Sequence, residues 1–119
     1  MTKYLGIDWG EKKIGLALGS SETGLALPNK IVENSDNGLE YIKRLCGDEE
    51  IGVVVVGSLR DENKRFDEFI EFLNTVGVRV ELTDERLTTK MAGRLNTDLK
   101  GRDDAVAAQL ILQGWIDSK

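Results

Sequence analysis

Apolar residues at 4, 5 and 7, and again at 14 and 16–18, flank a polar reversal over 10–13. That pattern predicts two adjacent strands joined by a turn. A turn cluster at 20–24 leads into a third strand over 25–33, so the amino-terminal part reads as an antiparallel meander. Pro28 cannot donate to a ladder and points to an edge strand or a bulge. Leu39, Ile42, Leu45 and Cys46 recur at helical spacing; residues 34–38 offer caps, and Gly47 is expected to stop the helix. Residues 51–57 form a β-branched run without alternation, as expected of a strand covered on both faces. Phe66, Phe69, Ile70, Leu73 and Val76 predict a helix over 61–75, terminated by Gly77, and 78–82 alternates as a fifth strand. Leu87, Met91 and Leu95 mark a further helix. A last helix is expected over 103–116, with Val106, Ala107, Leu110, Ile111 and Trp115 towards the core. No repeat or linker divides residues 1–119, so the expectation is one α/β domain. Right-handed crossovers give it a five-stranded mixed sheet, a three-strand antiparallel meander plus two parallel strands, with helices on both faces.

Composition narrows the chemistry such a domain can carry. The 119 residues include one cysteine, Cys46, and no histidine. Histidine-based triads, zinc proteases, cysteine-rich zinc sites and internal disulfides are therefore excluded by inventory. The chain is too short for a cleft between two large lobes. What remains in quantity is carboxylate chemistry, suited to hard cations such as Mg2+ or Mn2+. No apolar run reaches about 18 residues and no cleavable leader is visible, so the expectation is a soluble, cytoplasmic protein without a membrane partner. The net charge of -5 argues against a generally sticky nucleic-acid binder. Between residues 86 and 102, however, Arg86, Lys90, Arg94, Lys100 and Arg102 face only Asp98. That segment reads either as a solvated helix face or as a basic surface.

Three acidic positions stand out. Asp8 interrupts an apolar strand, where a carboxylate is costly unless compensated; it reads as a metal ligand at the mouth of the sheet or as a turn aspartate bonding the reversal at Gly10. Glu85 lies in a polar cluster just past the carboxyl end of a strand, where ligand sites form in open sheets with helices on both faces. Asp103 and Asp104 stand at the amino end of the last helix, as cap and first-turn acid or as site residues. The topology lets Asp8, Glu85 and Asp104 converge. Clustered carboxylates repel one another unless a divalent cation sits among them.

Residues 6–10 (Gly-Ile-Asp-Trp-Gly) with 13–17 (Lys-Ile-Gly-Leu-Ala), then Val56-Gly57, then 84–89 (Asp-Glu-Arg-Leu-Thr-Thr), then 104–108 (Asp-Ala-Val-Ala-Ala) with Ile111-Leu112, resemble the YqgF family, also called RuvX. The likeness runs from near residue 4 to 116. It implies an RNase H-like fold related to the Holliday junction resolvase RuvC, and a magnesium- or manganese-dependent endonuclease. Family members are linked to maturation of the 5′ end of 16S rRNA and were first proposed to resolve DNA junctions. Matched position by position, Asp8, Glu85 and Asp104 become the catalytic, metal-ligating acids, with Asp103 the weaker claimant to the third place. Lys13, Arg86, Lys90, Lys100 and Arg102 become candidates for phosphate contacts. The expected partner is precursor rRNA or branched DNA, bound by a monomer or homodimer; resolving a four-way junction would require two sites in a symmetric dimer. Two departures bear on substrate grip. Relatives commonly carry Gly-Leu-Pro and a longer loop after the fourth strand, where this chain has 57–60 (Gly-Ser-Leu-Arg), and the chain is shorter than most relatives. Two rival readings remain: a non-catalytic RNA-binding ribosome-assembly factor, and the phosphate-binding start of sugar kinases and actin-like ATPases, which need a second lobe absent from a chain of this length.

Overall fold

The structure, a computed structural model, describes residues 1–58, 64–84 and 104–119. Five strands, β1 (Lys3–Trp9), β2 (Lys13–Ser20), β3 (Ala26–Glu33), β4 (Ile51–Ser58) and β5 (Arg79–Asp84), form one sheet in the order β3-β2-β1-β4-β5. β1 pairs antiparallel with β2, and β2 with β3, while β1 with β4 and β4 with β5 run parallel. The expected mixed sheet is thus present, with β1 in its middle. Pro28 lies on the edge strand at a register shift in the β2/β3 ladder, where its missing N–H costs least.

Helices α1 (Asp36–Asp48) and α2 (Lys64–Val76) cover one face and α3 (Asp104–Asp117) the other. Strand alternation sorts the residues: Leu5, Ile7, Ile14, Leu16, Val54 and Val56 meet Ile42, Cys46, Phe69 and Leu73, whereas Ala17, Val53 and Val55 meet Ala108, Ile111 and Leu112. The unbroken apolar run in β4 follows from this, because both its faces are covered.

Several boundaries differ from expectation, and α1 begins at Asp36, within the residues expected only as caps. α1 does not stop at Gly47 but runs to Asp48, and the left-handed residue after it is Glu50, with φ 53°. Its amino end is capped by Ser35, whose hydroxyl accepts from the Gly38 N–H. β5 continues past Leu82 to Asp84 because its pairing with β4 persists to Ser58. Gly77, with φ 90°, does end α2. The start expected for α2 at residue 61 and the helix marked by Leu87, Met91 and Leu95 lie outside the described residues. Among the described residues no helix is long and apolar enough to cross a membrane.

Candidate active site

Asp8 is half-buried near the carboxyl end of the central strand. Its register partners are Gly15 on β2 and Gly57 on β4. Neither neighbouring strand therefore raises a side chain beside it, and the carboxylate stands on a floor of backbone about 4.8 Å to either side. Alternation places Asp8 on the same face as Tyr4 and Gly6, the face covered by α3.

α3 lies antiparallel along that face. Tyr4 packs edge-on against Trp115, with ring centroids 5.0 Å apart. Two residues on, a Cβ at Gly6 would come 2.6 Å from the Leu112 Cβ and 3.0 Å from the Ala108 carbonyl oxygen. Advancing along β1 from residue 4 to residue 8 thus retreats along the helix from 115 towards its amino end. Asp8 and the backbone position of Asp104 come to the same end of the sheet, on the same face. The positive end of the α3 dipole faces that end and favours anions there. Gln109 and Gln113 fix the helix sideways: the Ala26 N–H donates to Gln113 Oε1 at 2.8 Å, and Gln109 Nε2 donates to the Ala26 carbonyl at 3.0 Å.

Lys13 is exposed at the start of β2 and lies on the face of Gly15, two residues away. It is therefore the diagonal cross-strand neighbour of Asp8, a relation that spans roughly 7–8 Å. The turn between them is tight, since a Cβ at Gly10 would meet the Lys13 carbonyl oxygen at 2.7 Å. Asn34 holds it from outside: its Nδ2 donates to the Gly10 carbonyl at 2.8 Å and its backbone N–H to the Lys12 carbonyl at 2.9 Å. Reading the sequence as caps for α1 missed this second duty of Asn34. Its only signal was an amide side chain one residue before the actual cap.

β5 reaches the same end of the sheet two strands away. Thr83 is in register with Gly57, and so with Asp8, and Asp84 with Ser58. Glu85, Asp103, Arg86, Lys90, Lys100 and Arg102 lie outside the described residues. Among the described residues no three acidic side chains gather around a common point. The structure thus places Asp8, Lys13 and the Asp104 backbone at one edge. The fit to a hard cation rests on Asp8, an oxygen donor on the central strand with a glycine in register on each flank.

Trp9 does not offer itself to a ligand. It points to the opposite core, edge-on to Phe66 at 5.4 Å and 79°, with its Nε1 buried and without a hydrogen-bond partner among the described residues. Beyond it, a shallow cleft of about 210 Å³ between the amino ends of α1 and α2 is lined by Asn34, Asp36, Arg65 and Glu68 over Leu39 and Phe69. It opens at the same end of the sheet but on the other face, and does not include Asp8.

A family model described as RuvX, Holliday junction resolvase, matches residues 2–118. A protein of Anaeromyxobacter sp. (strain Fw109-5), provisionally named a pre-16S rRNA nuclease, is 35% identical over 134 aligned positions, covering 98% of each chain. One from Chlamydia pneumoniae, named likewise, is 34% identical and covers 97% of this chain and 89% of its own length. The 134 aligned positions exceed the 119 residues here, so the first relative carries inserted residues. Among solved structures, Thermus thermophilus RuvC in complex with a Holliday junction superposes with a TM-score of 0.65 at 14% identity, over 96% of this chain and 92% of that one. The fowlpox virus resolvase bound to junction DNA gives 0.59 at 14%, over 98% of each. At such identities the likeness concerns the fold, which is that of the RuvC-like nucleases.

Proposed function

The chain belongs to the RuvX family, and from that premise we propose that it is a divalent-metal-dependent endonuclease whose substrate is the 5′ end of precursor 16S rRNA. The observation that carries this reading is the setting of Asp8: a carboxylate on the central strand, flanked by two glycines, beside the amino end of α3. An acid there adds nothing to the apolar packing between the sheet and α3. Its oxygens are ligands of the kind a hard divalent cation takes.

Asp8, Glu85 and Asp104 would hold Mg2+ or Mn2+. The bound cation would supply a lowered water pKa and charge stabilisation at the leaving oxygen. The protein's own groups do the rest. Asp8 ties the site to the central strand of the sheet, paired on both sides, rather than to a loop. Gly15 and Gly57 keep the approach low enough for a sugar-phosphate backbone to reach the carboxylate. Lys13, with Arg86, Lys90, Lys100 and Arg102, would contact phosphates and position a strand without reading its bases. The α3 amino end adds partial positive charge on the same side. An acidic protein can in this way hold an acidic polymer by one edge.

The test is cleavage of labelled precursor rRNA and of a four-way DNA junction, each with and without Mn2+, by the wild type and by Asp8→Asn. Metal-dependent cutting of the RNA that disappears in a folded Asp8→Asn protein is the expected result. Wild-type cutting by that variant would refute the site. The description of the matched family model favours the junction as a second substrate, and preferential cutting of the four-way DNA would put that reading first. Binding of rRNA without cleavage under any metal would leave a ribosome-assembly factor.

A further inference from the structure

The contacts of Asn34 point beyond the acidic centre. It stands between β3 and α1, yet its bonds go to the β1–β2 turn: side chain to the Gly10 carbonyl at 2.8 Å, backbone to the Lys12 carbonyl at 2.9 Å. Lys13 and Glu33 form the end rung of the β2/β3 ladder, and the Asn34 N–H extends that ladder one step into the turn. On the inner side, the Gly10 Cα sits so close to the Lys13 carbonyl that no Cβ fits. A short reversal carrying the exposed Glu11, Lys12 and Lys13 would by itself be free to move. Here it is held from both sides, next to Asp8.

We infer that Asn34 is a positioning residue for nucleic-acid binding: by clamping the turn it fixes Lys12 and Lys13 where a phosphate backbone passes Asp8. The inference rests on the nuclease reading for the identity of the ligand, and names its phosphate backbone as the part recognised. Lysines on a fixed turn lose less freedom on binding than lysines on a mobile one, so the clamp raises affinity without touching the substrate. Asn34 has no role in bond breaking, and its loss should raise KM while leaving kcat unchanged.

The experiment is binding of a fluorescently labelled single-stranded RNA across a salt series, without divalent cation, so that no cleavage intervenes. Asn34→Ala should weaken binding roughly threefold to tenfold, the scale of one lost hydrogen bond. It should also flatten the logarithmic salt dependence by up to about 1.4, the share of two phosphate contacts on a single strand. In a Lys12→Gln/Lys13→Gln background, Asn34→Ala should have no further effect. Gly10→Ala, which disturbs the same turn from inside, should reproduce the loss and decides the matter should Asn34→Ala fold poorly. An Asn34→Ala protein with lowered Tm but unchanged affinity and salt slope would overturn the inference, as would losses that add to those of the lysine variants. Neither outcome touches Asp8, whose own test is cleavage, so the two readings fail separately.

Discussion

Gly6→Ala is the sharpest probe of how the fold holds its site together, because two lines of reasoning give opposite signs. Adding a methyl inside a strand increases apolar burial and removes the glycine penalty, so burial and propensity alone predict a gain of about 0.5–1 kcal/mol. The structure predicts a loss. The new Cβ would lie 2.6 Å from the Leu112 Cβ and 3.0 Å from the Ala108 carbonyl oxygen, where ordinary contact begins at 3.4 Å. Neither atom is the far end of a flexible side chain, so α3 itself must lift by about 1 Å. Overpacking of this kind costs about 1–3 kcal/mol. For 119 residues, at roughly 2.1 cal/mol/K per residue, each kcal/mol lowers Tm by about 4 °C, so a fall of about 4–12 °C is expected. The lift would strain the Gln109 and Gln113 bonds to β3 and displace the Asp104 position relative to Asp8. A misplacement of 1 Å can cost about a hundredfold in rate. Thermal unfolding and metal-dependent cleavage, measured on one preparation, test both halves. A Gly6→Ala protein with wild-type or higher Tm and full activity would show that α3 does not rest on this strand as described.

The same substitution elsewhere should act in the opposite direction. Gly47 lies in the last turn of α1 with nothing within 4 Å of the place a methyl would take, so Gly47→Ala should raise stability by up to about 1 kcal/mol, or about 4 °C in thermal unfolding. Cys46 supplies a pH test: burial raises its thiol from 9.0 to about 11. The unfolded chain then releases that proton at lower pH than the folded one, so this residue's contribution is constant below pH 9 and stability is lost as pH rises from 9 to 11. The loss approaches about 2–3 kcal/mol by order of magnitude. Urea unfolding of the wild type against Cys46→Ala at pH 8 and pH 11 isolates it, and identical pH dependence in both would refute the assignment.

Much of this architecture was legible because strand and helix periods differ. The uninterrupted run in β4, the alternation in β5 and the helical spacing through Phe69 and Leu73 each allowed one assignment, and their order left few sheets to build. Asp8 stood out as a candidate because a carboxylate interrupts the apolar run of its strand. Register was not legible. That Asp8 faces Gly15 on one side and Gly57 on the other depends on pairings between residues far apart in the chain, which no local pattern encodes. Gly47 misled for a related reason: a glycine can end a helix, but the conformation after α1 is taken up by Glu50 instead. Trp9 could have met a base or the core, and only the placement of Phe66 on α2 decides for the core.

Those same pairings bear on how a chain of net charge -5 would meet a polyanionic substrate. Binding responds to the field at the docking edge rather than to the sum over the surface. Three acids of the sequence, Asp48, Glu49 and Glu50, lie at the carboxyl end of α1 and precede β4, at the end of the sheet away from Asp8. Lys12, Lys13 and the amino end of α3 collect at the other end. Repulsion from the far end is screened beyond a Debye length of about 8 Å at physiological salt, while the near lysines act within it. Strand direction carries Lys12 and Lys13 to the Asp8 end together with Glu11, Glu33 and the backbone position of Asp84, so attraction for a phosphate there rests on where those two lysines stand rather than on a separation of all the charges.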